Sequence, residues 1–337
     1  MKPILYWRDS LHAGLRRVVP ACTVAGLACI AAAAHAESAQ AYPTRPIRVI
    51  VPFTSGSGSD SSARYYGEQL GKALGQPVVV ENRPGANGLI GIQALKSAPA
   101  DGYTVLLASN SPMSVNPIVM KNLPYDPLTD MKPVSGLSRN MNVYLVPVDS
   151  PLKTIADVVT TTRQTGKPLS VGTYSAGYQL AAAWFANLAG IRFVNVPYKG
   201  QAQIMTDVIG GQLDLAVVDL GGALGLLKEG KVRALAVTGE TRHRDFPDVP
   251  TIRESGYPDY VQYSWVSFYV RVQTPDDITD KLAGAMQVIL KTPASDAFLA
   301  TKGSDAMAYP PKVMRRFQQA EIARFRGVAS AAGIRPE

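Results

Sequence analysis

The segment IRVIVPFTSGSGSD, residues 47–60, decides the class of fold. Its aliphatic half predicts a buried strand, and its glycine- and serine-rich half predicts a tight turn into a helix. We expect that helix over 59–74, with Ser59 or Asp60 as its N-cap and Gly75 at its end. A strand that turns directly into a helix is typical of α/β folds.

The alternation of strand and helix continues along the chain in two blocks. The first block adds strands over 77–81 and 103–108, and the second block runs from 169 to 237. Proline-rich stretches over 112–133 and 247–258 follow the blocks, and prolines at that density interrupt regular elements. Each block predicts a mostly parallel sheet that is flanked by helices.

The segment after the second block returns toward the first block, which implies two lobes joined by two crossover connections. We assign residues 37–140 and 255–337 to lobe 1 and residues 141–254 to lobe 2. The predicted fold class is therefore α/β with two lobes. The cleft between such lobes is the default ligand site.

The first 36 residues have the pattern of a secretory signal peptide. Residues 1–17 are basic, residues 18–34 are apolar, and Ala34-His35-Ala36 has the small residues of a cleavage site. A membrane anchor is the alternative, but an apolar run of about 17 residues is short for a bilayer span. We expect an exported protein, and Arg16-Arg17 leaves the twin-arginine and general export routes both open.

Composition limits the chemistry of the remaining chain. Cys22, Cys29 and two of the three histidines lie within the first 36 residues, which leaves His243. A disulfide framework, a cysteine nucleophile and a cysteine/histidine zinc site are thereby excluded. The basic residues are scattered, which argues against nucleic acid as a partner. We expect no metal and no cofactor.

Three polar loops follow predicted strands. The loop over 52–60 combines glycines, serine hydroxyls and free N–H groups at a helix start, which suit a phosphate or a carboxylate. A plain tight turn is the alternative, since the loop lacks the spacing of a P-loop, a dinucleotide site or a nucleophile elbow. The loop over 175–179 has the matching place in lobe 2, and Ser109-Asn110-Ser111 forms a third wall. Strand ends meet at one edge of such sheets, so these loops predict one polar ligand site.

Four further side chains have two readings each. Asp219 ends a predicted strand and either caps the next helix or contacts the ligand. His243 lies between two arginines, and we predict that it is exposed to solvent. Trp184 and Trp265 are predicted to pack in the core or at the edge of the cleft.

Short motifs in a fixed order carry a resemblance to a known family. They are YP (42–43), PIR (46–48), VPF (51–53), GQPVVVENRPG (75–85), DGYT (101–104), LPYDP (123–127), VPYKG (196–200), GGQ (210–212), RALAVT (233–238) and PDVPT (247–251). Together they span nearly the whole length after residue 36. The chain resembles the periplasmic receptors of tripartite tricarboxylate transporters, also called Bug receptors.

The resemblance implies a type II-like periplasmic binding protein with two lobes that close on a ligand about a hinge. It implies a small carboxylate ligand (a di- or tricarboxylate or an aromatic acid), membrane subunits of a transporter as partners, a monomer, and no catalytic residue. By position, ten residues are assigned to the ligand: Phe53, Ser55, Gly58, Asp60, Ser109, Asn110, Ser175, Gly177, Tyr178 and Asp219.

The chain departs from the family pattern at two loops. It has Gly56-Ser57-Gly58 where many members have two or three adjacent glycines, and it has Ser175–Leu180 where many members have a longer loop, often with a histidine. Tyr178 either stacks on an aromatic acid or fills space at the helix start. Two other functions stay open: an exported serine hydrolase that uses Ser57 and His243, and a ligand sensor without a cognate permease.

Overall fold

The computed structural model describes residues 41–336. The predicted signal peptide over 1–36 lies outside the described residues. The strands are β1 (Ile47–Val51), β2 (Val78–Asn82), β3 (Thr104–Ser109), β4 (Met131–Pro147), β5 (Leu169–Thr173), β6 (Phe193–Pro197), β7 (Leu215–Asp219), β8 (Val232–Val237), β9 (Tyr263–Arg271) and β10 (Ser304–Tyr309). The helices are α1 (Gly58–Leu74), α2 (Leu89–Lys96), α3 (Asn116–Val119), α4 (Ile155–Thr165), α5 (Ala176–Ala189), α6 (Gln201–Ile209), α7 (Leu220–Lys228), α8 (Asp276–Ile289), α9 (Pro293–Thr301) and α10 (Pro311–Ala331). None of the helices in this part of the chain is long and apolar enough to cross a bilayer.

The described strands form one mixed sheet in the order β2-β1-β3-β9-β4-β7-β5-β6, and β8 and β10 also pair with β4. β1 runs parallel to β2 and β3, and β5 runs parallel to β6 and β7. These pairs confirm the two predicted α/β blocks. Between the blocks, β4 and β9 run antiparallel to their neighbours. The sheet is therefore mixed, with two parallel halves and antiparallel strands between them.

The long strand β4 belongs to both halves of the sheet. From Met131 to Met141 it pairs with β9, and from Asn142 onward it pairs with β7 and β8. The change of partner falls between consecutive residues, because Met141 is opposite Tyr263 and Asn142 is opposite Asp219. The chain therefore passes from the first half of the sheet to the second within one strand.

A buried polar cluster stands where β4 changes partner. The Asn142 side chain donates to Gln262 and accepts from the Ser264 hydroxyl at 2.8 Å. The Asn142 backbone N–H donates to Thr238 Oγ1 at 2.9 Å, and the Thr238 hydroxyl donates to the Gln262 carbonyl. Asn142 and Thr238 are fully buried. The cluster thus ties the outgoing strand to the segment by which the chain returns to β9, and such satisfied networks fix a unique packing.

Helices cover both faces of the sheet, which explains the unbroken apolar run in β1. Val49 and Val51 pack in one cluster with Tyr66 of α1, and Ile50 packs in another with Ile92 of α2. Successive strand residues point to opposite faces, so a strand that is buried on both faces needs no polar positions. β7 has the same arrangement in the other half.

The first helix begins earlier than the sequence predicts. Its N-cap is Ser57, whose Oγ accepts from the Asp60 N–H at 3.2 Å. The Asp60 carboxylate turns back and accepts from the Gly56 N–H at 2.9 Å. The prediction of Ser59 or Asp60 as N-cap is therefore wrong, whereas Gly75 does end the helix in a left-handed conformation.

The proline-rich stretch over 112–133 is more regular than predicted. A π-helical turn, Ser111–Val115, leads directly into α3, and Met131 already belongs to β4. Pro112 lies in the first turn of its element, where a missing N–H breaks no helical hydrogen bond. π-Helical turns are rare and occur often at functional sites.

Candidate functional site

A cleft lies at the carboxyl ends of β1, β3, β5 and β7 and is closed by residues of β4 and β9. Its unoccupied space, about 460 Å³, includes volume that is open to solvent. Its lining residues are Phe53, Ser57, Gly58, Ser59, Ser109, Asn110, Ser111, Asn140, Tyr174, Ser175, Tyr178, Asp219, Ser264, Trp265 and Val266. The strand-end loops of both blocks therefore meet at one site, as the sequence predicts.

Asp60 organises the first loop rather than lining the cleft. Its buried carboxylate accepts from the Gly56 N–H at 2.9 Å and from Asn82 Nδ2 at 2.9 Å. Arg64 binds the same carboxylate through two nitrogens, at 3.0 and 3.1 Å. Burial by itself raises the pKa of Asp60, but these hydrogen bonds outweigh burial and hold the pKa below its ordinary value. Asp60 is thus a positioning residue for the loop.

Ser55 lies at the mouth of the cleft. Its side chain is exposed, and it lines an adjoining cavity together with Thr54, Tyr174 and Lys199. The Ser55 hydroxyl faces the Asp60 carboxylate at 3.5 Å, which is a weak contact. The structure therefore places Ser55 beside the cleft rather than in its wall.

Ser111 joins the third wall to the second block. Its Oγ accepts from the Gly177 N–H at 3.0 Å and lies 2.9 Å from Ser175 Oγ. A Cβ on residue 177 would stand 2.6 Å from Ser111 Oγ and 3.1 Å from Asn110 Nδ2. Gly177 therefore acts by allowing a close approach between these loops, and its own atoms do not line the cleft.

Asp219 caps a helix, which confirms the first of its two readings, and it also lines the cleft, where a ligand contact stays a prediction. Oδ1 accepts from the Gly222 N–H at 3.3 Å, which caps α7, and Oδ2 accepts from Asn140 Nδ2 at 3.0 Å. Burial raises the pKa of Asp219 above its ordinary value, against the opposing effects of Asn140, two backbone N–H groups and Lys302.

The tyrosine pair Tyr174 and Tyr178 forms one side of the cleft. Their ring centroids are 4.4 Å apart, and the Tyr174 hydroxyl donates to the Tyr178 hydroxyl at 2.7 Å. Burial raises the pKa of both phenols, and the nearby Asp219 adds to this rise, so both stay neutral donors. Tyr178 also packs in the core of the second block, so Tyr174 already covers one of its ring faces.

Three buried polar atoms at the cleft have no hydrogen-bond partner within residues 41–336. They are Asn110 Nδ2, Trp265 Nε1 and Asn140 Oδ1. Asn110 and Trp265 are almost fully buried. Buried polar groups without partners are costly. Two unpartnered donors and one unpartnered acceptor in a single cleft therefore indicate that a polar ligand binds there.

Seven of the ten residues assigned to the ligand line the cleft, and Ser55, Asp60 and Gly177 lie beside it. The sequence analysis missed Asn140, Tyr174 and Ser264 as lining residues, and it predicted Trp265 to pack in the core or at the edge of the cleft without a role toward the ligand. Asn140, Ser264 and Trp265 lie within or at the start of long antiparallel strands, where no loop motif marks them. Only their placement beside Asp219 and Asn110 identifies them.

The predicted exposure of His243 is wrong, since the side chain is buried. Its Nδ1 accepts from the Asp245 N–H at 3.2 Å, so Nε2 carries the proton and faces the Gly303 carbonyl at 3.3 Å. The neighbouring arginines stay at the surface while the ring turns inward against Gly303. The prediction failed because Gly303 is 60 residues away in the chain.

The two-block sheet with a polar cleft at its strand ends defines a solute-binding protein of the periplasmic type. The chain belongs to the tripartite tricarboxylate transporter receptor family, whose model matches residues 62–334. This is a family of periplasmic binding receptors, and it is not an enzyme family.

Individual relatives agree with this assignment. Protein BugT of Bordetella pertussis is 34% identical over 304 residues, which cover 88% of this chain and 92% of BugT. A structure of an R. palustris protein with adipate has a TM-score of 0.84 and 33% identity, and covers 88% of this chain and 100% of that chain. MatC from Rhodopseudomonas palustris with bound malate has a TM-score of 0.80 and 27% identity, and it covers 85% of this chain and 99% of that chain.

Replacement Asp60→Asn should lower stability by about 1–2 kcal/mol at pH 7, because Asn loses the charge-assisted bonds and the half-exposed Arg64 adds little. The folded-state pKa of Asp60 is lowered, so the carboxylate stabilises the fold above an unfolded-state pKa of about 3.9. That contribution is lost as pH falls through the folded-state pKa. Urea unfolding at pH 7 and pH 3 gives the free energy of unfolding of the parent and of the variant. The difference between the two proteins should be smaller at pH 3 than at pH 7.

The matched control is Asp280→Asn, at an exposed position of α8, which should change stability by less than about 0.5 kcal/mol. Equal stabilities of Asp60→Asn and the parent at pH 7 would contradict the positioning role.

Proposed function

We propose that the protein is a periplasmic receptor that binds a small carboxylate in the cleft and delivers it to membrane subunits of a tripartite transporter. The observation that carries the proposal is the pair of unpartnered donors, Asn110 Nδ2 and Trp265 Nε1, at the cleft wall. Carboxylate oxygens are acceptors only, and they match such donors. The relatives that contain adipate and malate support the same ligand class.

Binding in this proposal closes two lobes, residues 37–140 with 255–337 and residues 141–254, about a hinge. Two facts support it. β4 changes its partners at Asn142, close to the proposed boundary. Ser111 and Ser175, which the boundary assigns to different lobes, share a hydrogen bond across the cleft. We further propose that residues 1–36 direct export and that the receptor acts as a monomer.

The proposed receptor binds its ligand without catalysis. The alternative, a serine hydrolase, would need Ser57 and His243 as nucleophile and base, and both side chains have other partners. Ser57 Oγ accepts from the Asp60 N–H as the cap of α1. Both His243 ring nitrogens face backbone partners, Asp245 and Gly303. His243 does not line the cleft in which Ser57 lies. A nucleophile needs a base within hydrogen-bond reach, and this pair does not supply one.

The first experiment is a melting-temperature screen of protein that has been unfolded, dialysed and refolded to remove any ligand. A carboxylate at about 100 times its dissociation constant should add roughly 2.7 kcal/mol, which raises the melting temperature by several degrees. The panel holds di- and tricarboxylates, amino acids and aromatic acids, with amines and sugars as controls. A shift by sugars or amines but by no acid would contradict the proposal.

Replacement Trp265→Phe removes one donor and keeps an aromatic ring. Loss of a charge-assisted hydrogen bond should weaken carboxylate binding about tenfold or more, measured by calorimetry with the acid from the screen. Trp184→Phe is the control, because Trp184 packs against Tyr260 and does not line the cleft. Equal loss of affinity in both variants would show a general effect of losing an indole on the fold, and would contradict a specific role for the Trp265 N–H group.

Replacement Gly177→Ala should block closure, since its Cβ would stand 2.6 Å from Ser111 Oγ. We expect about tenfold weaker binding in a protein that remains folded. Small-angle scattering should show the parent becoming more compact with ligand and the variant failing to do so. Gly225→Ala is the control, because no atom lies within 4 Å of its Cβ position. Binding by Gly177→Ala as tight as the parent would contradict closure at this contact.

A further inference from the structure

The cleft contains both unpartnered donors and an unpartnered acceptor. Asn110 Nδ2 and Trp265 Nε1 are the unpartnered donors. In the same lining, Asn140 donates its amide N–H to Asp219, which leaves Asn140 Oδ1 as an unpartnered acceptor. The opposite orientation of the Asn140 amide would bring its oxygen against the Asp219 carboxylate, so the charge of Asp219 fixes the orientation.

The Asp219 carboxylate has accepting capacity beyond its bonds in the protein. A carboxylate offers about four lone-pair positions. The positions used are those that accept from Asn140 Nδ2 and from the backbone of Gly221 and Gly222. The side of Asp219 that lines the cleft therefore remains able to accept a further proton donor.

A ligand that carries only carboxylates leaves the acceptors of the cleft unmatched. Among the described residues of the lining, Asp219 is the only aspartate, glutamate, lysine, arginine or histidine. Lys302, the cation that acts on Asp219, lines an adjoining cavity with Ser138 and Ser304. A plain acid that is ionised at neutral pH offers acceptors only, so it supplies no hydrogen bond to Asn140 Oδ1.

We propose that the ligand is a carboxylate that also carries a hydrogen-bond donor, an ammonium or hydroxyl group, which binds Asp219 and Asn140 Oδ1 while the carboxylate faces Asn110 and Trp265. This rests on the proposed carboxylate receptor and names the ligand class within it. Each unpartnered group of the cleft then receives a complementary group. Sites built to hydrogen-bond a substrate group reject the analogue that lacks it, because their own buried groups are left unpaired.

The test uses sets of three acids that share one carbon skeleton and differ in one substituent. One set is succinate, malate and aspartate; others are glutarate, 2-hydroxyglutarate and glutamate, and phenylpropionate, phenyllactate and phenylalanine. Calorimetry at pH 7 should show a donor-bearing member binding at least about tenfold tighter than the plain acid of its set. A hydroxy-acid preference identifies a hydroxyl ligand, and an amino-acid preference identifies an ammonium ligand.

Replacement Asp219→Asn should remove most of that preference, since Asn accepts more weakly and carries no charge. Asn remains a good N-cap, so α7 should stay folded, which circular dichroism checks. Asp157→Asn is the matched control: Asp157 also bonds to backbone at a helix start, in the capping box of α4, but does not line the cleft. An unchanged preference in Asp219→Asn would overturn the role of Asp219.

The outcomes separate this inference from the proposed function. Binding of a plain acid as tight as its hydroxy and amino partners would overturn the inference and leave the carboxylate receptor intact. Failure of every acid in the sets and the screen would count against the receptor proposal itself.

Discussion

The buried amide of Asn142 is the interaction on which the rest of the structure depends. It joins the outgoing strand β4 to Gln262 and Ser264 of the returning segment, while its backbone binds Thr238. Both passages of the chain between the halves of the sheet are thereby held at one point. Because β4 continues on both sides of this point, the strand ends of both blocks face one cleft. Ser264 belongs to the cluster and to the cleft wall, so the crossing and the site share a residue.

In the proposed function, the cleft recognises its ligand with neutral donors and a single acid. Trp265 and Asn110 offer N–H groups that carry no charge, and their burial makes each unmade hydrogen bond costly. Asp219 adds a carboxylate whose burial favours contact with a proton donor. Binding of this kind depends on desolvation and complementarity, without the transfer of a proton. That suits a receptor, which must release its ligand unchanged.

Local rules explain which parts of this site were predictable. The loop at residues 52–60, Asn110 and Ser175 were found because they follow strands, and strand ends converge at one edge. Asp219 was predicted for the same reason, because it ends a strand. Its hydrogen bond with Asn140 was not predicted. His243 was placed wrongly because its burial comes from Gly303, which no neighbouring residue in the chain reveals. Ser55 and Asp60 belong to the right loop, but their side chains turn away from the cleft wall.

The sequence by itself determined the two α/β blocks, the loops that meet at the cleft and the family, because these follow from apolar periodicity, turn residues and motif order along the chain. Only the tertiary structure decided that β4 serves both halves, that Trp265 and Asn140 line the cleft together with Asn110 and Asp219, and that Gly177 lies against Ser111. These depend on contacts between residues far apart in the chain. Such contacts leave no local pattern, because the sequence around a strand residue is the same whether its neighbour across the cleft is polar or apolar.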